Sequence, residues 1–161
     1  MIPKTPQQTL QKYFGYSNFR HGQEDIINAI LLGKDTLAIL PTGGGKSICF
    51  QIPGLMLSGT TLVISPLISL MKDQVDALIK KNIAATFINS SLKNKEVKNR
   101  LTNLAQQKYK FVYIAPERLQ TIQFIKVCQQ IKIPFIAIDE AHCISMWAMT
   151  FVLNILKLTS L

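Results

Sequence analysis

Apolar runs rich in isoleucine and valine alternate along the chain with segments of helical periodicity, and this alternation is the strongest constraint on its fold. The runs span residues 36–40, 61–65, 85–88, 111–115 and 135–139. Such short runs predict buried strands, whereas residues 66–82 and 91–107 have the period of amphipathic helices. The pattern favours an α/β fold with a mostly parallel sheet and helices on both faces, which binds ligands at the carboxyl ends of its strands.

The composition is that of one globular domain. The 161 residues are 48% hydrophobic, which is ample for one core. The apolar runs are shorter than the roughly 20 residues of a spanning helix, and the N-terminus lacks an apolar signal region, so we expect a cytoplasmic protein with no membrane partner. A net charge of +9 indicates a polyanionic partner, or serves solubility alone. Three widely spaced cysteines, Cys49, Cys128 and Cys143, predict reduced thiols with packing roles.

A glycine-rich loop follows the first predicted strand. Residues 40–50 read LPTGGGKSICF, a variant of the phosphate-binding pattern in which Leu40 stands where the first glycine is usual. Consecutive glycines let backbone N–H groups converge on phosphate oxygens, while a lysine reaches the terminal phosphates and a serine hydroxyl ligates Mg²⁺. The alternative is a glycine-rich turn before Lys-Ser by chance. The pattern predicts a nucleotide site formed by Thr42, Gly43, Gly44, Gly45, Lys46 and Ser47, with Lys46 also in a catalytic role.

Two carboxylates follow the last predicted strand, in the stretch IPFIAIDEAHC. Asp139 is predicted to hold Mg²⁺ together with Ser47, and Glu140 to deprotonate a water molecule that attacks the γ-phosphate. The pair suits hydrolysis of a nucleotide. The alternative is that the two carboxylates cap the first turn of a helix.

Five segments together resemble the first motor lobe of RecQ-type DNA helicases, which belong to helicase superfamily two and carry a DEAH-type motif. The segments are FGYSNFRHGQEDII, LPTGGGKSICFQIP, VISPLISLMKDQVDAL, YIAPERL and IDEAHCISMW, and the resemblance runs from about residue 10 to residue 147. It implies a RecA-like P-loop NTPase domain that uses ATP and Mg²⁺ and acts on single-stranded and duplex DNA. The complete enzyme would move 3′ to 5′ along one strand and serve DNA recombination and repair.

The resemblance also implies how the adenine base is recognised. It places Tyr16 and Arg20 against the two faces of the base and Gln23 on its hydrogen-bonding edge. An aromatic ring and a guanidinium plane suit a flat base, and a carboxamide offers the donor and acceptor that adenine requires. Core packing is the alternative for Tyr16 and the preferred interpretation for Phe19.

Further motifs of the family imply contacts with DNA. Residues 65–74, SPLISLMKDQ, resemble a motif that grips the backbone of a single strand, where hydroxyls, helix amides and a lysine meet phosphates. A simple Ser-Pro helix start is the alternative. Residues 116–119, PERL, resemble a second grip motif, unless Glu117 and Arg118 pair to hold the loop. The implied DNA-binding residues are Ser65, Pro66, Ser69, Lys72 and Trp147, and His142 is implied to couple the ATP site to DNA.

The resemblance stops after Trp147. Residues 1–30 form the adenine motif and its helix and residues 31–147 the first lobe, but residues 148–161 lack the family's aromatic-rich loop. Deleting one G from one possible set of codons for G-H-D-F-R-P-E-Y gives codons for residues 148–154 and the first two bases of a codon for Ile155, so we interpret the tail as the product of a frameshift. The alternative is a natural, divergent tail that docks as an apolar helix. After a frameshift the second lobe would be absent, and so would the strand that normally lies between the phosphate-loop strand and the acidic strand. The absence of that strand would leave a gap in the sheet with exposed apolar surface. We expect poor solubility and little activity, with a non-enzymatic binding module or a nonfunctional product as alternatives.

Overall fold

A computed structural model describes residues 3–41 and 43–140 of the chain. The chain divides into two compact units, residues 1–58 and residues 59–161. In the described part, every helix is too short or too polar to cross a lipid bilayer.

Three helices form the N-terminal unit: α1 (Pro6–Phe14), α2 (Gln23–Leu31) and α3 (Lys46–Met56). The first begins where the Thr5 hydroxyl accepts a hydrogen bond from the Gln8 N–H, with Pro6 in its first turn, and it ends at Gly15 in the left-handed conformation. These are the residue types that helix starts and stops favour. The unit's core joins one buried residue from each helix: Leu10, Ile27 and Ile52.

The predicted strand at residues 36–40 is wrong. This segment has no regular secondary structure, and its side chains are largely exposed, Leu37 by 80% and Ile39 by 88%. A strand is stable only when a neighbour completes its hydrogen-bond ladder, and the described residues of the N-terminal unit include no strand for it to pair with.

The second unit contains a parallel sheet, as the alternating pattern predicts. Its strands are β1 (Thr61–Ile64), β2 (Ala85–Ile88), β3 (Phe111–Ile114) and β4 (Ile136–Ile138), each within about one residue of a predicted run. They lie in the order β2-β3-β1-β4, and every pair is parallel. Three helices connect them: α4 (Ile68–Ile79), α5 (Asn94–Ala105) and α6 (Ile122–Cys128).

The strand order explains why both faces of this sheet are covered. The connection from β1 to β2 passes in one direction across the sheet, whereas those from β2 to β3 and from β3 to β4 run in the other. Because such crossovers are right-handed, α4 lies on one face and α5 and α6 lie on the opposite face. One core cluster accordingly joins Leu62 and Val112 to residues of α5 and α6, including Leu104 and Phe124.

This topology also predicts a crevice at the carboxyl edge of the sheet. Neighbouring strands β1 and β3 send their following loops to opposite faces, towards α4 and α6 respectively. Ligands of open α/β sheets bind where such a reversal occurs. The loop that starts at Ser65 and the loop that starts at Ala115 therefore border the crevice.

Candidate functional site

The phosphate loop of the N-terminal unit leads directly into α3. Gly43 and Gly45 both have left-handed backbone conformations, with φ of 75° and 76°, and Gly45 is the residue before the helix. No side chain caps this end of α3. The N–H groups of a helix start attract anions, and Lys46 and Ser47 lie in that first turn with partly exposed side chains. An uncapped helix start after a glycine-rich turn suits the predicted binding of a phosphate.

Two residues of the predicted adenine motif contact this loop. The Gln23 carboxamide donates to the carbonyl oxygens of Gly44 at 3.2 Å and Gly45 at 3.1 Å, and its oxygen accepts from the Arg20 N–H at 2.9 Å. The Arg20 guanidinium donates to the carbonyl oxygen of Gly43. Gln23 is only 3% exposed. In this conformation both side chains hold the phosphate loop, a role that the sequence did not indicate.

The aromatic residues of the same motif have different environments. Tyr16 is 57% exposed, so the core-packing alternative for it is wrong and its ring is accessible to a ligand. Phe19 packs against the core of the N-terminal unit, which confirms its predicted packing role.

The loop after β1 carries the first predicted DNA-gripping motif. Ser65 is buried, and its hydroxyl accepts a hydrogen bond from the Leu67 N–H at 3.4 Å, so its side chain shapes the turn. Ser69 and Lys72 are exposed near the start of α4, and Pro66 is partly exposed. The residue before α4 is Leu67, which provides no side-chain cap. Ser65 therefore does not cap the helix as a simple helix start would require.

The loop after β3 carries the second motif and forms a 3₁₀ turn over Pro116–Arg118. Leu119 fastens this turn to the core cluster of α5 and α6, and the Thr121 hydroxyl donates to the carbonyl oxygen of Arg118 at 2.8 Å. Within the described residues, Glu117 and Arg118 do not form the ion pair that was the alternative explanation of the motif. The Nε of Arg118 is buried and lacks a hydrogen-bond partner there. A buried guanidinium donor of this kind favours an anionic acceptor.

The predicted catalytic carboxylates follow β4. The Asp139 N–H donates to the carbonyl oxygen of Ile64 at 2.8 Å, which extends the pairing of β4 with β1 by one residue. Glu140 has a left-handed backbone with φ of 56°. This conformation is uncommon for residues other than glycine and is enriched at functional sites. Both side chains are partly exposed.

Comparison with known proteins establishes the family. The model of the family described as DEAD/DEAH box helicase matches residues 20–160. The chain belongs to the DEAD/DEAH box helicase family. Among solved structures, this helicase-family chain is similar to a hypothetical ATP-dependent RNA helicase from Sulfolobus tokodaii, with a TM-score of 0.69, 24% identity, and coverage of 96% of this chain and 46% of the other. That likeness confirms the RecA-like fold.

Curated relatives of this helicase-family chain include proteins named ATP-dependent DNA helicase RecQ. The one from Bacillus subtilis is 56% identical over 146 residues, which are 90% of this chain and 25% of the relative. The one from Pasteurella multocida is 48% identical over 150 residues, which are 93% of this chain and 24% of the relative. The chain thus spans about a quarter of the length of these relatives.

Several predicted residues of the helicase-family chain lie outside the described part. These are Thr42 of the phosphate loop, the coupling residue His142, Trp147 and the whole tail from residue 148, so their roles remain predictions. Cys143 also lies there, whereas Cys49 and Cys128 are buried free thiols as predicted.

One buried polar residue at the carboxyl edge of the helicase-family sheet was not predicted from the sequence. Asn89 follows β2 and is buried, and its side-chain oxygen accepts from the Ser91 N–H at 3.0 Å and the Ser91 hydroxyl at 2.7 Å. Its amide group faces the Met71 sulfur at 3.6 Å. An asparagine at a predicted strand end was the available signal, because such side chains often fix the turn that follows.

Proposed function

We propose that this chain is the ATP-binding and DNA-gripping first lobe of a RecQ-type helicase. The observation that carries the proposal is the phosphate loop, which presents Gly43–Gly45, Lys46 and Ser47 at the uncapped start of α3. The relatives named ATP-dependent DNA helicase RecQ support the nucleotide and DNA as ligands. Translocation from 3′ to 5′ and duplex separation would belong to the longer protein, because a second lobe supplies the arginines that stabilise transition-state charge.

The residue types suit a Mg²⁺ nucleotide. Ser47 and Asp139 would provide hydroxyl and carboxylate oxygens, the ligand types that Mg²⁺ prefers. The bound ion would neutralise charge on the phosphates. Lys46 would add positive charge at the terminal phosphates, and Glu140 would take the proton of the attacking water. Tyr16, Arg20 and Gln23 would recognise adenine.

The carboxyl edge of the sheet supports the DNA part of the proposal. The β1 loop with Ser69 and Lys72 and the β3 loop with Arg118 border the same crevice. The exposed Ser69 hydroxyl and Lys72 ammonium and the partly exposed guanidinium of Arg118 would contact phosphates without reading sequence. The net charge of +9 would favour binding of any polyanion. Buried Ser65 would position this loop, and Trp147 would add an aromatic contact.

Calorimetric titration with Mg-ATP tests the nucleotide site. Lys46→Ala should weaken binding by about tenfold to a hundredfold, since hydrogen bonds to charged groups contribute about 1.5–3 kcal/mol. Lys34→Ala removes an exposed lysine of the same unit and serves as the matched control. Equal affinities of the Lys46 and Lys34 variants would contradict the proposed site.

Fluorescence anisotropy with a labelled single strand tests the DNA surface. Lys72→Ala should weaken binding and lower the salt dependence by about 0.7 in log-log slope, the contribution of one phosphate contact on a single strand. Lys126→Ala removes an exposed lysine of α6 and should leave that slope unchanged.

We also expect this chain alone to bind ATP with little DNA-stimulated turnover, so rapid turnover would contradict the requirement for a second lobe.

A further inference from the structure

The carboxamide of Gln23 is committed to the phosphate loop. Its nitrogen donates to two carbonyl oxygens, those of Gly44 and Gly45, and its oxygen accepts from the Arg20 N–H. A carboxamide has two N–H donors, so both donors of Gln23 are used. The side chain cannot offer a donor to the edge of a base without releasing at least one loop carbonyl.

The same contacts hold the loop in a conformation that does not present all its amides. The Gly44 N–H donates to the Pro41 carbonyl oxygen at 2.9 Å, so this donor points back into the loop. Arg20 holds the neighbouring carbonyl of Gly43. Three successive carbonyls, those of Gly43, Gly44 and Gly45, are thus fixed by two side chains of the adenine motif.

We propose that Arg20 and Gln23 are positioning residues for the phosphate loop, and that a purine base releases the loop by taking over these two side chains. The inference rests on the proposed ATP site and adds a regulation to it. When the guanidinium stacks on the base and the carboxamide turns to its edge, the three carbonyls are freed and the Gly44 N–H becomes available to a phosphate. Recognition of the base and opening of the phosphate loop are then one event.

This coupling makes the base a condition for tight phosphate binding. Two net hydrogen bonds from Gln23 correspond to about a thirtyfold preference for the closed loop. A polyphosphate without a base must open the loop against that preference, which lowers its apparent affinity by the fraction of open loop. When a purine nucleotide binds, its contacts with the two released side chains offset the cost of opening the loop.

Calorimetry with two ligands on the full chain tests the coupling. In Gln23→Met, which has similar volume but no donor, Mg-tripolyphosphate should bind about tenfold more tightly, while Mg-ATP should bind more weakly than to the unmodified chain. Gln11→Met makes the same replacement at an exposed position of α1 and should change neither affinity. Unchanged or weaker tripolyphosphate binding in the folded Gln23 variant would overturn the proposal.

Hydrogen exchange at the Gly44 amide tests the release without any substitution. Saturating adenosine, which carries the base without phosphates, should speed exchange of this amide by about tenfold or more, because its bond to the Pro41 carbonyl is lost. Bound adenosine that leaves the Gly44 exchange rate unchanged would overturn the coupling but keep the base site. Adenosine that does not bind at all would overturn both the base site and the coupling. Tight Mg-ATP binding in that case would still support the phosphate site.

Discussion

The three consecutive glycines of the phosphate loop should respond differently to alanine. Gly43 has a φ of +75°, and a Cβ added there would meet no atom within 4 Å. Gly45 has a φ of +76°, and its added Cβ would collide with Nε2 of Gln23. A Cβ on Gly44 would lie 2.8 Å from the Pro41 carbonyl oxygen, without a left-handed backbone.

These geometries predict a different loss in the free energy of unfolding for each substitution. Gly43→Ala costs only the left-handed strain, about 1 kcal/mol or slightly more. Gly45→Ala adds to that strain the displacement of Gln23, whose two hydrogen bonds contribute about 0.5–1.5 kcal/mol each, for a total of about 2–4 kcal/mol. Gly44→Ala should cost about 1–2 kcal/mol, because the loop must move away from Pro41 and loses one hydrogen bond.

Urea unfolding followed by circular dichroism measures these differences. A double-mutant cycle sharpens the comparison: in a Gln23→Ala background the cost of Gly45→Ala should fall to that of Gly43→Ala, because the colliding side chain is gone. Equal costs for Gly43→Ala and Gly45→Ala in the unmodified background would refute the reasoning, as would a cost of Gly45→Ala that is independent of Gln23.

Three further predictions concern the core, the thiols and the exposed apolar segment. Phe124→Ala should lower the free energy of unfolding by about 3–5 kcal/mol in a urea titration, because this ring is buried between α6 and the sheet; Ile122→Ala, an exposed position on the same helix, is the control and should cost less than about 0.5 kcal/mol. Burial raises the pKa of the Cys128 thiol to about 12, so a thiol reagent at pH 8 should label it only after unfolding, and fast labelling of Cys128 itself in the folded chain, located by peptide mass spectrometry, would contradict its burial. Replacing Leu37 and Ile39 by lysine should raise the concentration at which the chain precipitates with little change in stability, since both side chains are exposed; lower solubility would contradict the assignment.

The thiol also makes stability depend on pH. The pKa of Cys128 in the folded chain, about 12, lies above its ordinary value of 9.0 because burial disfavours the thiolate. Above pH 9 the unfolded chain therefore binds fewer protons than the folded one, and this contribution to stability is lost as the pH rises from about 9 to 12. Cys128→Ala should reduce the loss of stability across that interval, and an unchanged pH profile would contradict this origin.

The parallel sheet followed from the sequence, whereas one of its predicted strands did not form. Runs of β-branched and apolar residues identified β1 to β4 to within about one residue, because buried parallel strands need such side chains on both faces. The run at residues 36–40 has the same composition but no ladder in its own unit. Composition reports what a segment is able to bury, and it does not report whether a partner strand is present.

For the candidate site, the sequence likewise predicted some features and missed others. Lys46, Ser47, Asp139 and Glu140 were recognisable because phosphate and metal chemistry demands particular residue types at fixed positions after strands. The sequence did not indicate that Gln23 bonds to Gly44 and Gly45, because these contacts cross more than 20 residues of chain. The burial of Ser65 was likewise invisible, since a serine at a strand end suits both a phosphate contact and a turn.

By itself, then, the sequence determined the alternating α/β pattern, the glycine-rich loop before α3 and the acidic end of β4, because local chemistry and periodicity fix these features. Only the tertiary structure decided the order of the strands, the crevice between the loops after β1 and β3, and the hold of Arg20 and Gln23 on the phosphate loop. The physical reason is that side chains such as arginine and glutamine have several possible partners. The partner they take depends on which donors and acceptors folding brings within about 3 Å of them.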